Sequence, residues 1–166
     1  YTLKKKEDGE EVWEQLGDSI YGEAQDSRNG YSVSLSGDGS RVAIGEYYHT
    51  VNDGLKHAGR TRIFDYDGSA WIQAGVNKIN GEINNIWSGS SVSLSKDGNR
   101  VAIGAWKYSG DTGQTRIYVF GDDFWFKSKE INGEASGDSS GKEVSLSGDG
   151  NTVAIGAPLA ETTNGT

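Results

Sequence analysis

The sequence lacks the residues on which several kinds of protein depend. Among its 166 residues there is no cysteine, no methionine and a single proline. Without cysteine, a disulfide scaffold, thiol catalysis and thiolate metal sites are all excluded. No run approaches the roughly 18 consecutive apolar residues that cross a bilayer as a helix, which predicts no membrane insertion. No signal-peptide pattern opens the chain, and the start at Tyr1 rather than Met leaves open a processed product or a fragment.

Positive charge is also scarce. The chain carries 16 Lys and Arg against 24 Asp and Glu, a formal net charge of -8. This charge would repel the phosphate backbone of nucleic acid, so we expect no nucleic-acid partner. Glycine is abundant, with 25 residues, and the apolar residues fall in short runs. This composition predicts an all-β fold of short strands joined by turns.

An internal repeat is the main signal. Each copy predicts a β-hairpin: Val33 and Leu35 alternate with serine, an Asp-Gly turn follows at Asp38, and Val42 and Ile44 return with alanine between them. One face of each hairpin therefore carries branched apolar groups and the other only small ones, which favours close stacking of successive sheets. The copies begin 59 and 52 residues apart, at residues 30–45, 89–104 and 141–156.

A second hairpin, built around a tryptophan, completes each unit. Trp71 and Trp125 follow the first and second copies, and Trp13 belongs to an opening segment that lacks its first hairpin. We therefore predict four-stranded antiparallel β-propeller blades in permuted register, three blades' worth as a half, two wholes and a half, with twelve strands. The predicted divisions are 1–29, 30–88, 89–140 and 141–166, the last half-blade completing the 1–29 half-blade of a neighbour.

The spacing indicates that the two ends complement each other. Val33 lies 38 residues before Trp71, and Val92 lies 33 before Trp125. From Val144 through Thr166 and on to Trp13 of a following copy is 35 residues, between these two values. Closure as one three-bladed ring, head-to-tail joining of copies into a ring or filament, and an excerpt of a larger propeller all stay open. The predicted subunit seam comprises Tyr1, Leu3, Trp13, Val144, Leu146, Val153 and Ile155.

The repeat also resembles a known family. Its consensus Gly-x-Ser-Val-Ser-Leu-Ser-x-Asp-Gly-Asn-x-Val-Ala-Ile-Gly is followed by Ala157 and Pro158 in the last copy. It resembles the FG-GAP-like repeats of integrin-α-type β-propellers, and more closely the repetitive secreted or cell-surface propeller proteins of algae and bacteria. The resemblance implies a secreted or cell-surface protein with an adhesive, recognition or structural role.

Metal sites are poorly supported by the sequence. Integrin-type repeats often carry a calcium loop with several carboxylates, whereas each repeated turn here has one, so we expect no cofactor. Asp65 and Asp67 are the better calcium candidates, although a solvated turn explains them more simply. His49 and His57 lie in a long loop and could hold a transition metal, but nothing in the other copies matches them.

Aromatic residues in the connecting loops form the predicted contact surface. They could bind a glycan or a protein partner, or simply pack the loops. The predicted contact residues are Trp87, Trp106, Tyr47, Tyr48 and Tyr108. The pattern Asn164-Gly-Thr166, preceded by Thr162 and Thr163, matches an N-glycosylation acceptor.

The sequence predicts a protein that is not an enzyme. No nucleophile with a base, and no pair of unlike acids, can be assembled from it, because Glu23, Glu82 and Glu134 recur in equivalent positions. We therefore expect an extracellular structural protein that self-assembles head to tail by sharing a blade. The alternative is an extracellular recognition module that binds a glycan or a protein through its loop aromatics.

Overall fold

The computed structural model describes residues 1–51 and 54–160, and this part of the chain is all-β with antiparallel sheets. One irregular helical turn, α1 (Tyr108–Asp111), interrupts the strands. The strands are β1 (Thr2–Lys5), β2 (Glu11–Glu14), β3 (Ser32–Leu35), β4 (Arg41–Glu46), β5 (Arg60–Tyr66), β6 (Trp71–Gln73), β7 (Ile79–Asn80), β8 (Ser91–Leu94), β9 (Arg100–Ala105), β10 (Gln114–Gly121), β11 (Phe124–Asn132), β12 (Glu143–Leu146) and β13 (Val153–Gly156).

The strands pair in chain order into four sheets. The N-terminal hairpin consists of β1 and β2, and the C-terminal hairpin of β12 and β13. Between them, the first sheet has the order β3-β4-β5-β6, with β7 also paired to β5, and the second sheet has the order β8-β9-β10-β11. All of these pairings are antiparallel, as the alternating sequence predicts.

The repeated turns are held by an aspartate side chain. In the first copy, Asp38 Oδ1 accepts hydrogen bonds from the Ser40 amide at 3.0 Å and the Ser36 hydroxyl at 2.7 Å. The amide of Gly39, with φ of 74°, donates to the Ser36 carbonyl and closes the turn. Asp97 and Asp149 make the corresponding bonds in the other copies. The aspartates therefore fix the hairpin tips.

The first and second sheets stack with a small face against a large one. Val92 and Leu94 on β8 are buried in one core with Ala43 on β4. The hydroxyl oxygen of Ser34 accepts a hydrogen bond from the Leu94 amide at 2.9 Å. Gly45 lies against the Gly89 carbonyl so closely that a Cβ would not fit. Small residues thus allow the close approach that the sequence predicts.

The same step repeats between the second sheet and the C-terminal hairpin. The hydroxyl of Ser93 accepts from the Leu146 amide at 2.9 Å, and that of Ser91 accepts from the Val144 amide at 3.0 Å. Gly104 lies against the Gly141 carbonyl as Gly45 does against Gly89. One packing step is therefore used twice, with equivalent residues.

The strand pattern differs from the expected twelve strands in its outer part. In the first sheet the outer strand is interrupted after β6, where Gly75 adopts a φ of 84°, and β7 then pairs with β5 again. In the second sheet β11 runs unbroken through both positions, with a register shift opposite Ile117 and Tyr118. The described residues thus contain thirteen strands: Ile79 lies eight residues after Trp71, whereas Ile131 lies six after Trp125, and the longer segment contains the turn at Gly75. Within those same ranges, no helix is long and apolar enough to cross a membrane.

Candidate functional site

An uncovered apolar face on β3 is the first feature of the candidate site. Val33 and Leu35 are 63% and 58% exposed. The equivalent residues of the second sheet, Val92 and Leu94, are 7% and 6% exposed because the first sheet covers them. The same sequence motif is therefore a core element in one copy and a bare surface in the other.

A groove lies beside this face. It has a volume of about 700 Å³ and runs between Val33, Leu35 and Ile44 on one side and Tyr1 at the start of the N-terminal hairpin on the other. Trp71 forms part of its wall. The groove occupies the place next to β3 that the first sheet occupies next to β8.

The C-terminal hairpin presents the complementary surface. Its apolar side faces the second sheet, where Val144 is buried, so Ser145, Ala154 and Gly156 on the other side are exposed. These three correspond to Ser34, Ala43 and Gly45, the small residues against which β8 packs. The molecule therefore carries both halves of its internal packing step uncovered.

The predicted seam residues lie at both surfaces, but with different roles. Tyr1, Leu3 and Trp13 are exposed on the N-terminal hairpin. Val144 is buried against the second sheet. The other three, on the same hairpin, are half-buried: Leu146, Val153 and Ile155. Sequence reasoning missed Val33, Leu35, Ser145 and Ala154. Their alternation marks two faces, but the alternation does not say which face a neighbouring sheet covers.

The hairpin tips add a backbone contact to each step. The Gly37 amide donates to the Lys96 carbonyl, and the Lys96 amide donates to the Gly148 carbonyl, each at 2.8 Å. Within the described residues, the Gly148 amide and the Gly37 carbonyl make no such bond. In that part of the chain, a donor without a backbone partner at one end and an acceptor without one at the other match the contact that joins the tips internally.

A cluster of rings on the connecting loops is a second candidate site. Four of the five predicted contact residues come together: the Trp87 ring centroid lies 5.2 Å from that of Tyr47, 6.2 Å from that of Tyr48 and 5.1 Å from that of Trp106. Among the described residues, Tyr108 is in none of the close ring pairs and begins α1. We call the set the aromatic cluster, and Tyr31 and His57 complete it: Tyr31, Tyr47, Tyr48, His57, Trp87 and Trp106.

Two lysines border the aromatic cluster. The Nζ atoms of Lys107 and Lys142 lie 4.5 Å and 3.7 Å from the Trp106 ring centroid, within cation–π range. Lys107 also pairs with Asp111 at 2.8 Å. Trp106 is half-buried, and Tyr31 is exposed at the edge. Lys142 and Tyr31 occupy the same position in their copies, directly after the first glycine, a signal that the sequence contained.

A buried ion network lies beneath the first sheet's loops. Glu46, fully buried, accepts from Arg62 Nε at 2.5 Å and from Arg60 Nη2 at 3.2 Å. Arg60 also reaches Glu23 at 3.1 Å. Burial lowers the pKa of His49, whose Nδ1 lies 3.1 Å from Arg60 Nη2. The network holds the loops by charge, and the equivalent of Glu46 in the second sheet is Ala105.

The metal candidates are engaged in protein contacts. Asp65 forms a two-pronged pair with Arg41 at 2.5 and 2.7 Å, and Asp67 accepts from the Ser69 and Ala70 amides. In the described ranges, no group of three or more acidic, histidine or cysteine side chains is placed to hold a metal ion. That no cofactor binds stays a prediction, with Asp65 and Asp67 as the calcium candidates. The glycosylation candidates Asn164, Thr162 and Thr163 lie outside the described residues.

Comparisons with known proteins assign no family. No family model matches the chain, and no curated protein matches it. Among solved structures, a chain of Kuenenia stuttgartiensis hydrazine synthase is similar, with a TM-score of 0.48 and 13% identity. The match covers 83% of this chain but 32% of that one, so this chain spans about a third of its length. Likeness at this level assigns neither an activity nor a partner.

Proposed function

We propose that this protein is a structural component that joins head to tail with further copies of itself. The C-terminal hairpin of one copy enters the groove of the following copy and packs against β3, completing the sheet begun by the N-terminal hairpin. The four-stranded sheets are then blades of a β-propeller. An extracellular setting follows from the resemblance to secreted repeat proteins.

The observation that supports the proposal is the uncovered pair of complementary faces. In each of the two internal packing steps, a backbone amide on the apolar face donates a hydrogen bond to a serine hydroxyl on the small-residue face. The Leu94 amide donates to Ser34, and the Leu146 amide donates to Ser93. A third step places the Leu35 amide of the following copy on the Ser145 hydroxyl. It also pairs the Gly148 amide with the Gly37 carbonyl of that copy.

The energetics show which contacts such a seam requires. Full burial of a Val or Leu side chain contributes about 1.5–3 kcal/mol, and Val33 and Leu35 are already partly covered, so together they add roughly 2–4 kcal/mol. Association costs about 4 kcal/mol or more in lost freedom of motion. The inner face alone is therefore too small for tight binding. Tight association therefore also requires hydrogen bonds between β13 and the N-terminal hairpin of the following copy, and a further contact region.

A head-to-tail contact either closes or continues. Two copies that close would form a six-bladed ring, which lies in the size range of propellers, whereas contacts that do not close would form a filament. Both forms bury the same seam, and they differ in mass at high concentration.

Sedimentation velocity of the protein tests the proposal. The Leu35→Asp variant places a charge in the groove and should abolish association, because an unpaired buried charge is costly. Ala154→Trp blocks the small face of the hairpin and should do the same. Val76→Asp, at another exposed apolar residue, is the control and should leave association unchanged. Leu35 and Ala154 are both exposed, so the two variants should fold normally.

Mixing the two blocked variants tests polarity. The intact hairpin of the Leu35→Asp protein can enter the intact groove of the Ala154→Trp protein, so the mixture should form a dimer with one seam. A symmetric contact through one surface would not be restored by mixing. A wild-type protein that stays monomeric up to high micromolar concentration would refute the proposal.

A second candidate function, recognition of a glycan, is favoured by the aromatic cluster. Aromatic rings can stack on the apolar faces of sugars, and the neighbouring lysines would select acidic ones. Binding of neutral and acidic oligosaccharides on an array tests this. Trp106→Ala should remove binding, whereas Tyr108→Ala, outside the cluster, should retain it. Binding that is absent, or unaffected by Trp106→Ala, would eliminate this candidate.

A further inference from the structure

The N-terminal hairpin carries a large apolar surface that its own molecule leaves bare. Trp13 is 68% exposed, and Leu3, its direct partner across the hairpin, is also exposed. Residues paired in this way lie on the same face of the two strands. The hairpin therefore displays a tryptophan and a leucine side by side on one face.

The two equivalent tryptophans are anchored to the preceding sheet. The Trp71 indole nitrogen donates to the Leu16 carbonyl at 2.8 Å, and that of Trp125 donates to the Ala74 carbonyl at 3.1 Å. In both cases the acceptor lies three residues after the tryptophan of the preceding unit. Trp125 is only 2% exposed as a result of this packing.

If copies stack as the sheets within one copy do, Trp13 contacts the second sheet of the preceding copy. The residue three after Trp125 is Ser128, which is exposed, whereas its equivalent Ala74 is buried. Phe126 pairs with Val119, which pairs with Arg100, so these three side chains lie on one side of the second sheet. Ala102 lies on the same side, because it is two residues after Arg100 in the same strand. This is the side that contacts the C-terminal hairpin.

An exposed aromatic pair occupies that side. The rings of Phe124 and Phe126 lie 4.9 Å apart, and both are exposed. The equivalent residues in the first sheet are Ala70 and Ile72, so the pair is not part of the general repeat. Ile72 is 53% exposed although the second sheet stacks on that side of the first, so the pair borders the place of the N-terminal hairpin of a following copy.

One substitution changes how the tryptophan can dock. Gly75 allows Trp125 to approach, since a Cβ there would lie 3.2 Å from the indole ring. In the second sheet its equivalent is Lys129, on the same side as Phe126 through its pairing with Ile117. A lysine fills the space that a glycine leaves open, so Trp13 must rest higher on the sheet, over the phenylalanine pair.

We propose that Trp13 and Leu3 of one copy pack on Phe124 and Phe126 of the preceding copy, as a second contact region of the seam. This inference rests on the proposed head-to-tail association. The region supplies the apolar contact that the inner face lacks, because aromatic side chains contribute the most to interfaces of this kind.

The test is a double-mutant cycle on self-association of the full chain. Trp13→Ala and Phe126→Ala should each raise the dissociation constant for self-association by about 30-fold, as expected for a central aromatic contact. The double variant should be little weaker than either single variant, because both remove the same contact. Val76→Ala, at an exposed residue outside the region, should leave the dissociation constant unchanged.

Fluorescence gives a second readout that does not depend on affinity. Association should shift the tryptophan emission to shorter wavelength, and Trp13→Phe should reduce that shift to the part contributed by Trp71 in the groove wall. Association that is unaffected by Trp13→Ala and Phe126→Ala would overturn this contact region and leave the groove intact. Absence of association in the wild-type protein would instead overturn the proposed function.

Discussion

Thr152→Arg should strengthen the proposed seam, because an arginine stands at this position in both internal steps. Nη1 of Arg41 donates to the Gly98 carbonyl and the Asn99 side chain, each at 3.1 Å. Arg100 makes the same two bonds, also at 3.1 Å, to Gly150 and Asn151. In the third copy the position holds Thr152, whose short side chain cannot cross to a neighbouring sheet.

The magnitude follows from the internal bonds. Across the seam, the arginine would reach the Gly39 carbonyl and the Ser40 hydroxyl of the following copy. Hydrogen bonds to a charged group contribute about 1.5–3 kcal/mol, and partial exposure of the site reduces this to roughly 1–2 kcal/mol. The dissociation constant should therefore fall about 5- to 30-fold. Adding Ser40→Asn supplies the amide acceptor found at the internal steps and should tighten the seam further.

Sedimentation equilibrium over a concentration series measures the effect. Thr152→Lys is the matched control, since it adds the same charge to a chain of net charge -8 without the planar guanidinium. The Thr152→Lys protein measures how much association strengthens merely because the repulsion between two negatively charged copies is reduced. A Thr152→Arg protein that folds normally and associates no more tightly than Thr152→Lys would refute the assumption that the seam repeats the internal geometry.

Three further predictions concern the fold itself. Glu46→Ala should destabilise the protein by about 3–5 kcal/mol in urea unfolding, because Arg60 and Arg62 lose their buried carboxylate; a loss below 1 kcal/mol would contradict this. Gly104→Ala should cost about 1–3 kcal/mol, since its Cβ would meet the Gly141 carbonyl, whereas Gly121→Ala meets no atom and should cost less. Hydrogen bonds from the Ser40 amide and from Ser36 lower the pKa of Asp38 from 3.8 to about 2, so its contribution is present above pH 4 and lost as pH falls towards 2. Asp38→Asn should flatten that part of the stability–pH curve, and an unchanged curve would rule out this role.

The sequence was informative about local structure because local signals repeat. Three copies of the same alternation and the same Asp-Gly turn specify hairpins, and Val33 and Ser34 mark the two faces of one strand. The alternation cannot say which face is covered, because that depends on the order in which sheets stack. It also could not reveal the Glu46 network, since Glu46 has no counterpart in the other copies. The contact of Trp87 with Trp106 joins the end of the first unit to a loop of the second, and no local spacing encodes it.

The positions at which the proposed seam departs from the internal steps are consistent with an order of events. Thr152 replaces an arginine, Glu143 replaces Ser32 and Ser91, and Lys129 replaces a glycine. Each change alters a contact that the internal steps have, so the proposed seam between copies would be weaker than a step within one. In a chain of near-identical hairpins, equal strengths would let the hairpin of one copy displace that of another. Stronger internal steps favour completion of each molecule's own stack before copies join, and the Thr152→Arg variant should therefore also raise the yield of misassembled aggregates on refolding.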